Sequence, residues 1–173
     1  MPDPEERPLR LFLALWPAPA LRDALAARAD AWAWTPAARR TPADKLHVTL
    51  HFLGDVAPAR LPALRSELAV DWSGCELVLD REAVWPGGIA VLEASQVPPA
   101  LAALHARLGE RLRALDLPVE TRRWRPHVTF ARKAAGAQPA AGAQPLRWPT
   151  GPDYVLVQSM PGNGGYVPLQ AFG

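Results

Sequence analysis

The first apolar segment of the chain is a nearly continuous run, LRLFLALW at 9–16, soon broken by Pro17 and Pro19. Its length and composition predict a buried strand. PALRDALAARADAWAW (19–34) follows, with Leu21, Leu25 and Trp32 on one side of a helix. Pro36 and Pro42 bracket a loop that holds Arg39 and Arg40. KLHVTLHFLG (45–54) then alternates as a strand and is expected to stop at Gly54. Leu61, Leu64 and Leu68 mark a short helix after Pro58.

CELVLDREAVW (75–85) reads as one or two strands, joined by a Gly87-Gly88 turn to IAVLEA (89–94). The clearest helix begins after Pro98-Pro99. Leu101, Leu104, Leu108, Leu112 and Leu115 form its apolar stripe, and Arg107, Glu110, Arg111 and Arg113 its charged face. RRWRPHVTFAR (122–132) is a further strand, with Pro126 suited to an edge or a strand end. The six-residue duplication AAGAQPAAGAQP (134–145) lacks core-forming residues and predicts an exposed, flexible loop, the segment most tolerant of deletion. YVLVQSM (154–160) and YVPLQAF (166–172), joined by PGNGG, read as two closing strands. Hairpin-like links outnumber regular βαβ units, so the expected class is α+β with antiparallel sheet.

Composition adds limits. The 173 residues are 49% hydrophobic and 21% charged, ordinary for a globular domain, and the length fits one domain or two small packed lobes. A net charge of +2 and a pI near 9.1 permit an anionic partner without demanding one. Cys75 is the single cysteine, which excludes an intrachain disulfide and a thiolate-rich metal site. The acidic start MPDPEER and the short apolar run after it do not fit a signal peptide or a membrane helix. The expectation is a cytoplasmic protein.

An internal repeat changes the picture. HVTL (47–50) recurs as HVTF (127–130), each within a predicted strand and each after basic residues. Residues i and i+2 of a strand share a face about 6–7 Å apart. His47 and Thr49 therefore point one way, with Val48 and Leu50 anchored in a core on the other. His127 and Thr129 repeat this above Val128 and Phe130. If two lobes bring these strands together, two imidazoles and two hydroxyls converge and can grip a phosphate from two sides. A solvated strand residue explains one such histidine; it does not explain a duplicated pair. His47 and His51 spell HxxxH, but on a strand they stand about 13 Å apart, too far to share an ion. The expectation is no metal, with His51 on the same face as His47, at the cleft rim or in solvent, and His105 structural. No nucleophile elbow, P-loop or dinucleotide fingerprint is present.

These residues resemble the 2H phosphoesterases, named for two H-x-[ST]-x motifs, and within them the RNA 2′,3′-cyclic phosphodiesterases, also called 2′-5′ RNA ligases. RLFLALWP…LRDAL, KLHVTLHFLGDV, RWRPHVTFAR and YVLVQSM…GGYVPLQAF carry the resemblance, which runs from about residue 9 to 172. The duplicated 134–145 loop and QSMPGNGG depart from the family pattern. The resemblance implies two pseudo-symmetric lobes, each an antiparallel sheet backed by helices, around a central cleft within one bilobal domain spanning 1–173.

Opening a cyclic phosphodiester needs a base for water and an acid for the leaving oxygen. Imidazole, with an ordinary pKa near 6.5, can serve as either. Residue types alone leave open which histidine does which. The resemblance implies His47 as proton donor to the 3′ oxygen, His127 as proton acceptor from water, and a 2′-phosphate product without any cofactor. Thr49 and Thr129 can donate hydrogen bonds to the non-bridging oxygens, and Arg132 supplies a fixed positive charge. Arg122, Arg123, Arg125 and Trp124 form a candidate strip for an RNA backbone and a stacking base. Arg39, Arg40 and Lys45 offer a similar set near the first motif. Expected ligands are RNA with 2′,3′-cyclic phosphate ends, such as tRNA fragments or oligonucleotides, bound by a monomer without a membrane. Two other readings are an enzyme acting on small nucleotides such as ADP-ribose 1″,2″-cyclic phosphate, and a non-catalytic RNA- or nucleotide-binding module. The intact motif pair argues against the module.

Overall fold

Apolar strands that are buried on both faces must lie between two layers, and the first strand does so. The computed structural model describes residues 7–173, so most of the acidic start lies outside it. β1 (Leu9–Leu15) turns Leu11, Leu13 and Leu15 to the main core, and Phe12 and Ala14 to a second, smaller cluster with Val157. It pairs antiparallel with β3 (Val48–Val56) on one side and β9 (Tyr154–Ser159) on the other. β10 (Tyr166–Phe172) closes that edge through the Gly-rich turn expected from the sequence.

A second group is built from β5 (Arg81–Trp85), β6 (Ile89–Glu93) and β7 (His127–Arg132), with the two-residue β2 (Arg39–Arg40) on β7. Pro86 and Gly87, at φ +90°, make the tight β5–β6 turn that Gly88 N–H closes onto the Trp85 carbonyl. The strand order is β10-β9-β1-β3-β7-β6-β5, and among the described residues the two halves of the sheet pair only where Val48 of β3 meets Val128 of β7. The apolar stretch 75–85 thus forms two strands. β4 (Cys75–Leu79) leaves this sheet and pairs with β8 (Leu146–Thr150), whose Trp148 is buried in the core.

The helices cross between the halves. α1 (Pro19–Asp30) follows β1 but reaches the other half, where Arg28 pairs with Glu82 of β5 at 3.0 Å and Trp32 stands edge-on to Phe130 of β7. It ends at Asp30, short of the expected residue 34. Ala33 exchanges backbone hydrogen bonds with Gln138, and Trp34 folds back to donate to the Ala29 carbonyl. α2 (Leu61–Glu67) seats Leu64 behind the first half. α3 (Pro99–Ala114) buries Leu101, Leu104, Leu108 and Leu112 as its stripe predicts, and its His105 carbonyl accepts from His51 of β3 at 2.8 Å. The architecture is α+β with antiparallel sheet, as expected.

Two local expectations change. Gly54 does not end β3; at φ +74° it lies where the register with β1 slips by one residue, and the strand continues to Val56. The 134–145 segment is exposed only in part. Ala134 and Ala137 are buried, because Ala134 N–H bonds the Gly88 carbonyl and Gln138 pairs with Ala33, whereas residues 138–145 are exposed.

Since each half is backed by a helix from elsewhere in the chain, neither can lose its packing alone. Denaturation followed by Trp fluorescence and by circular dichroism is expected to give one shared transition. Leu108→Ala, which opens a cavity behind β3, should lower stability by about 2–5 kcal/mol in both signals together. Separate midpoints for the two signals would contradict this coupling.

Candidate active site

Each motif strand carries a bulge immediately after its threonine. In β3, Thr49 pairs with Ala14 and His51 with Leu13, so Leu50 is an extra residue in the ladder. In β7, Thr129 pairs with Val91 and Ala131 with Ala90, so Phe130 is extra. A bulge shifts the side-chain parity of everything after it. Leu50 and His51 are consecutively buried, as are Phe130 and Ala131. The residue five places after each histidine then emerges on the motif face: Phe52, 70% exposed, and Arg132, also exposed.

This corrects the expectation for His51. It does not share the face of His47 and Thr49; it is 5% exposed and points back to α3. Its ring stacks on His105 at 4.0 Å, and His105 stacks on Trp124 at 4.1 Å. The HxxxH pair is therefore split across the sheet. Phe52 occupies the face position that strict alternation would give to His51, with its ring 6.3 Å from Phe12.

Antiparallel pairing at Val48–Val128 sets His47 across from Thr129 and Thr49 across from His127. All four share the face opposite the two valines, around a local pseudo-two-fold axis. The histidines are tethered alike: His47 Nδ1–H donates to the Lys45 carbonyl at 2.6 Å, and His127 Nδ1–H to the Arg125 carbonyl at 2.6 Å. That leaves both Nε2 atoms for chemistry. His47 Nε2 accepts from the Thr49 hydroxyl at 2.9 Å.

Their surroundings differ. His47 stacks on Trp16 at 5.1 Å, with Phe12 at 5.0 Å and Tyr166 edge-on at 5.5 Å. Lys45 Nζ lies 5.3 Å above the Tyr166 ring. Burial lowers the His47 pKa below 6.5; the Lys45 carbonyl opposes this and His127 adds to it. His127 lies 4.4 Å from the Trp85 ring. Its pKa is also lowered by burial, against the Arg125 carbonyl and the Glu93 charge, with Arg125 and Arg132 pulling it down further.

The basic strip before the second motif divides. Arg132 joins the site. Arg125 is bound to the buried carboxylate of Glu93, Nη2 to Oε1 at 2.7 Å, and lies 4.3 Å over Trp85. Trp124 donates from Nε1 to the Thr49 carbonyl at 3.2 Å and has one ring face on His105. Arg122 pairs with Glu120, and Arg123 is exposed. Near the first motif, Arg40 bonds Asp30 while Arg39 pairs with Arg132 in the β2–β7 ladder.

Sequence reading missed Trp16, Phe52, Tyr166, Trp85 and Glu93. The apolar register of β3, which passes from Val48 and Leu50 to Leu53, carries a trace of the bulge that exposes Phe52. Nothing local marks Trp85 or Tyr166, which reach the histidines from other strands.

A model of the 2′-5′ RNA ligase superfamily matches residues 20–153. Among solved structures, LigT of E. coli in its apo form is 27% identical, with a TM-score of 0.78 over 96% of this chain and 97% of that one. E. coli LigT complexed with 3′-AMP is likewise 27% identical, with a TM-score of 0.78 over 95% and 97%. TT0787 of Thermus thermophilus is 26% identical, with a TM-score of 0.75 over 95% and 97%. No curated protein sequence matches the chain.

The His51–His105 stack behind the site has a consequence for stability. Burial, with the His51 charge beside it, lowers the His105 pKa to about 4, and burial lowers that of His51 too. Below pH 6.5 the unfolded chain takes up protons that these two rings refuse in the folded chain, so their contribution to stability is present above about pH 6.5 and is lost as pH falls towards 4. His105→Phe keeps the stack without the titration and is expected to flatten this dependence. Urea midpoints of both proteins between pH 4.5 and 7.5 give the comparison, and parallel curves would exclude His105 as a source.

Proposed function

This chain belongs to the 2′-5′ RNA ligase superfamily, and on that premise we propose that it hydrolyses the 2′,3′-cyclic phosphodiester at RNA ends to a 2′-phosphomonoester. The observation that carries the reading is the paired tether. Two pseudo-symmetric histidines, each bound through Nδ1 to the carbonyl two residues back, turn both Nε2 atoms towards one face.

In this reading the cyclic phosphate lies between His47 and His127. His127 Nε2 takes a proton from water as the water oxygen bonds to phosphorus on one side. The bond from phosphorus to the 3′ oxygen breaks on the other, and protonated His47 delivers its Nε2 proton to that oxygen. His127 then returns its proton to solvent and His47 is recharged from it, so no metal or organic cofactor is needed. The Thr49 hydroxyl exchanges its bond to His47 for one to a non-bridging oxygen, Thr129 binds the other, and Arg132 stabilises the growing charge. Phe52, exposed beside Phe12, offers a face to the terminal nucleobase. Arg123 and the exposed edge of Arg125 line the approach for the backbone. A 5′-hydroxyl attacking in place of water would give a 2′-5′ linkage, the ligation counterpart of the same step.

A second reading is the same chemistry on small nucleotides such as ADP-ribose 1″,2″-cyclic phosphate. Solved complexes of E. coli LigT with 3′-AMP, ATP and NADP+ favour keeping it. Only an RNA enzyme gains rate from added nucleotides. Hydrolysis compared across cyclic-phosphate substrates from one to several nucleotides separates the two.

His47→Ala and His127→Ala are each expected to lose roughly 10²- to 10⁴-fold in hydrolysis of a cyclic-phosphate-ended RNA, with little further loss in the double variant. Product analysis should show a 2′-phosphate, and EDTA should leave the rate unchanged. Near-full activity in either single variant refutes the mechanism.

The pH dependence has a defined sense. The base must be neutral, so kcat/KM rises with pH through its pKa; the acid must be protonated, so kcat/KM falls through the other. Both histidines are lowered from 6.5, so the bell should be centred on the acid side of pH 6.5. A maximum above pH 7.5 would contradict this assignment.

A further inference from the structure

The two histidines share a tether but not a backing. Behind His47 stand the rings of Phe12, Trp16 and Tyr166. Behind His127 stands a carboxylate. Glu93 sits directly across from His127 in the β6–β7 register and is only 2% exposed, at a position in IAVLEA that its neighbours would lead one to expect apolar. Arg125 Nε and Nη2 bind its two oxygens at 3.0 and 2.7 Å, and the carbonyl of that same Arg125 receives His127 Nδ1–H. Trp85 completes the cluster, under the Arg125 guanidinium and beside the His127 ring.

We propose that Glu93 is a positioning residue for His127: through Arg125 it holds the imidazole with Nδ1–H bound and Nε2 open, and its charge supports the imidazolium formed when His127 accepts a proton. The proposal rests on the cyclic phosphodiesterase reading for its kinetic part. A buried carboxylate is costly unless paired, and one hydrogen-bonded partner with a half-exposed guanidinium offsets that cost incompletely. Its placement over a proton acceptor gives the remaining reason for a charge there. The charged groups around His127 are Glu93 of β6, Arg125 ahead of β7, Arg132 within it, Arg81 of β5 across from Glu93, and His47 of β3. Glu93 alone among them favours the protonated ring; His47, when charged, and the arginines oppose it. The pseudo-symmetric counterpart of this carboxylate is missing behind His47 among the described residues. Glu93 thus makes two related histidines unequal, by favouring the protonated ring on the His127 side alone.

The test uses the full chain, with histidine titration followed by NMR beside steady-state kinetics on a cyclic-phosphate-ended RNA. Glu93→Gln keeps the shape and removes the charge. It is expected to lower the His127 midpoint and to move it further than that of His47, to move the acid limb of kcat/KM to lower pH, and to reduce kcat about 10-fold, part of the roughly 10²–10⁴ available to a general base. KM should stay within twofold, and Glu93→Asp should recover part of the loss. A folded Glu93→Gln protein with an unchanged His127 midpoint and unchanged kcat overturns the proposal. If Glu93→Gln does not fold, Arg125→Lys, which keeps the positive charge and loses the two-point grip on Glu93, is measured instead, and an unchanged His127 midpoint with unchanged kcat there overturns the proposal. A wild-type protein inactive on cyclic phosphate would refute the functional reading, while the NMR titration would still decide whether Glu93 governs His127.

Discussion

The site depends on one backbone pairing. Among the described residues, Val48 and Val128 are the only pair through which the two halves of the long sheet meet. Their side chains are fully buried, so the opposite face at that point must carry the residues on either side, His47, Thr49, His127 and Thr129. A longer ladder would close the two halves into a continuous surface. A single pair brings the motifs together and then lets the strands part. The helices that cross behind the sheet hold this narrow junction in register. α3 grips β3 through the His51–His105 contact, and Trp32, just beyond α1, packs against Phe130 of β7.

The bulges add the second determinant. Both follow the motif threonine, and both advance the residue five places after the histidine onto the reactive face. The outcome on the two sides is chemically different. β3 delivers an aromatic ring, Phe52, and β7 a permanent cation, Arg132. A symmetric scaffold therefore presents an asymmetric face. The difference extends below the histidines, where rings back one and a carboxylate backs the other.

Much of this was legible in the sequence. The apolar stripes of α2 and α3, the closing hairpin, and the repeat of HVTL as HVTF follow from local periodicity, which depends only on neighbours a few residues away. The boundaries that failed were decided by partners far along the chain. α1 stops early because Ala33 pairs with Gln138, and β3 runs on because Gly54 sits at a register slip against β1. The duplicated loop, whose composition suggests no fixed place, is docked in its first copy by Gly88 and Ala33. Strict alternation puts His51 on the wrong face because it makes no allowance for an inserted residue.

What the sequence by itself determined is the chemistry on offer: two imidazoles and two hydroxyls, each pair held on a strand by alternating apolar anchors. Its physical basis is the two-residue period of a β-strand, which needs no knowledge of the rest of the chain. Tertiary structure decided how those groups are used. Cross-strand register put Glu93 opposite His127 and within reach of the Arg125 guanidinium. Strand order brought Trp16 and Tyr166 to His47. Those assignments turn on residues that are distant in sequence and adjacent only through the sheet, so no local pattern could encode them.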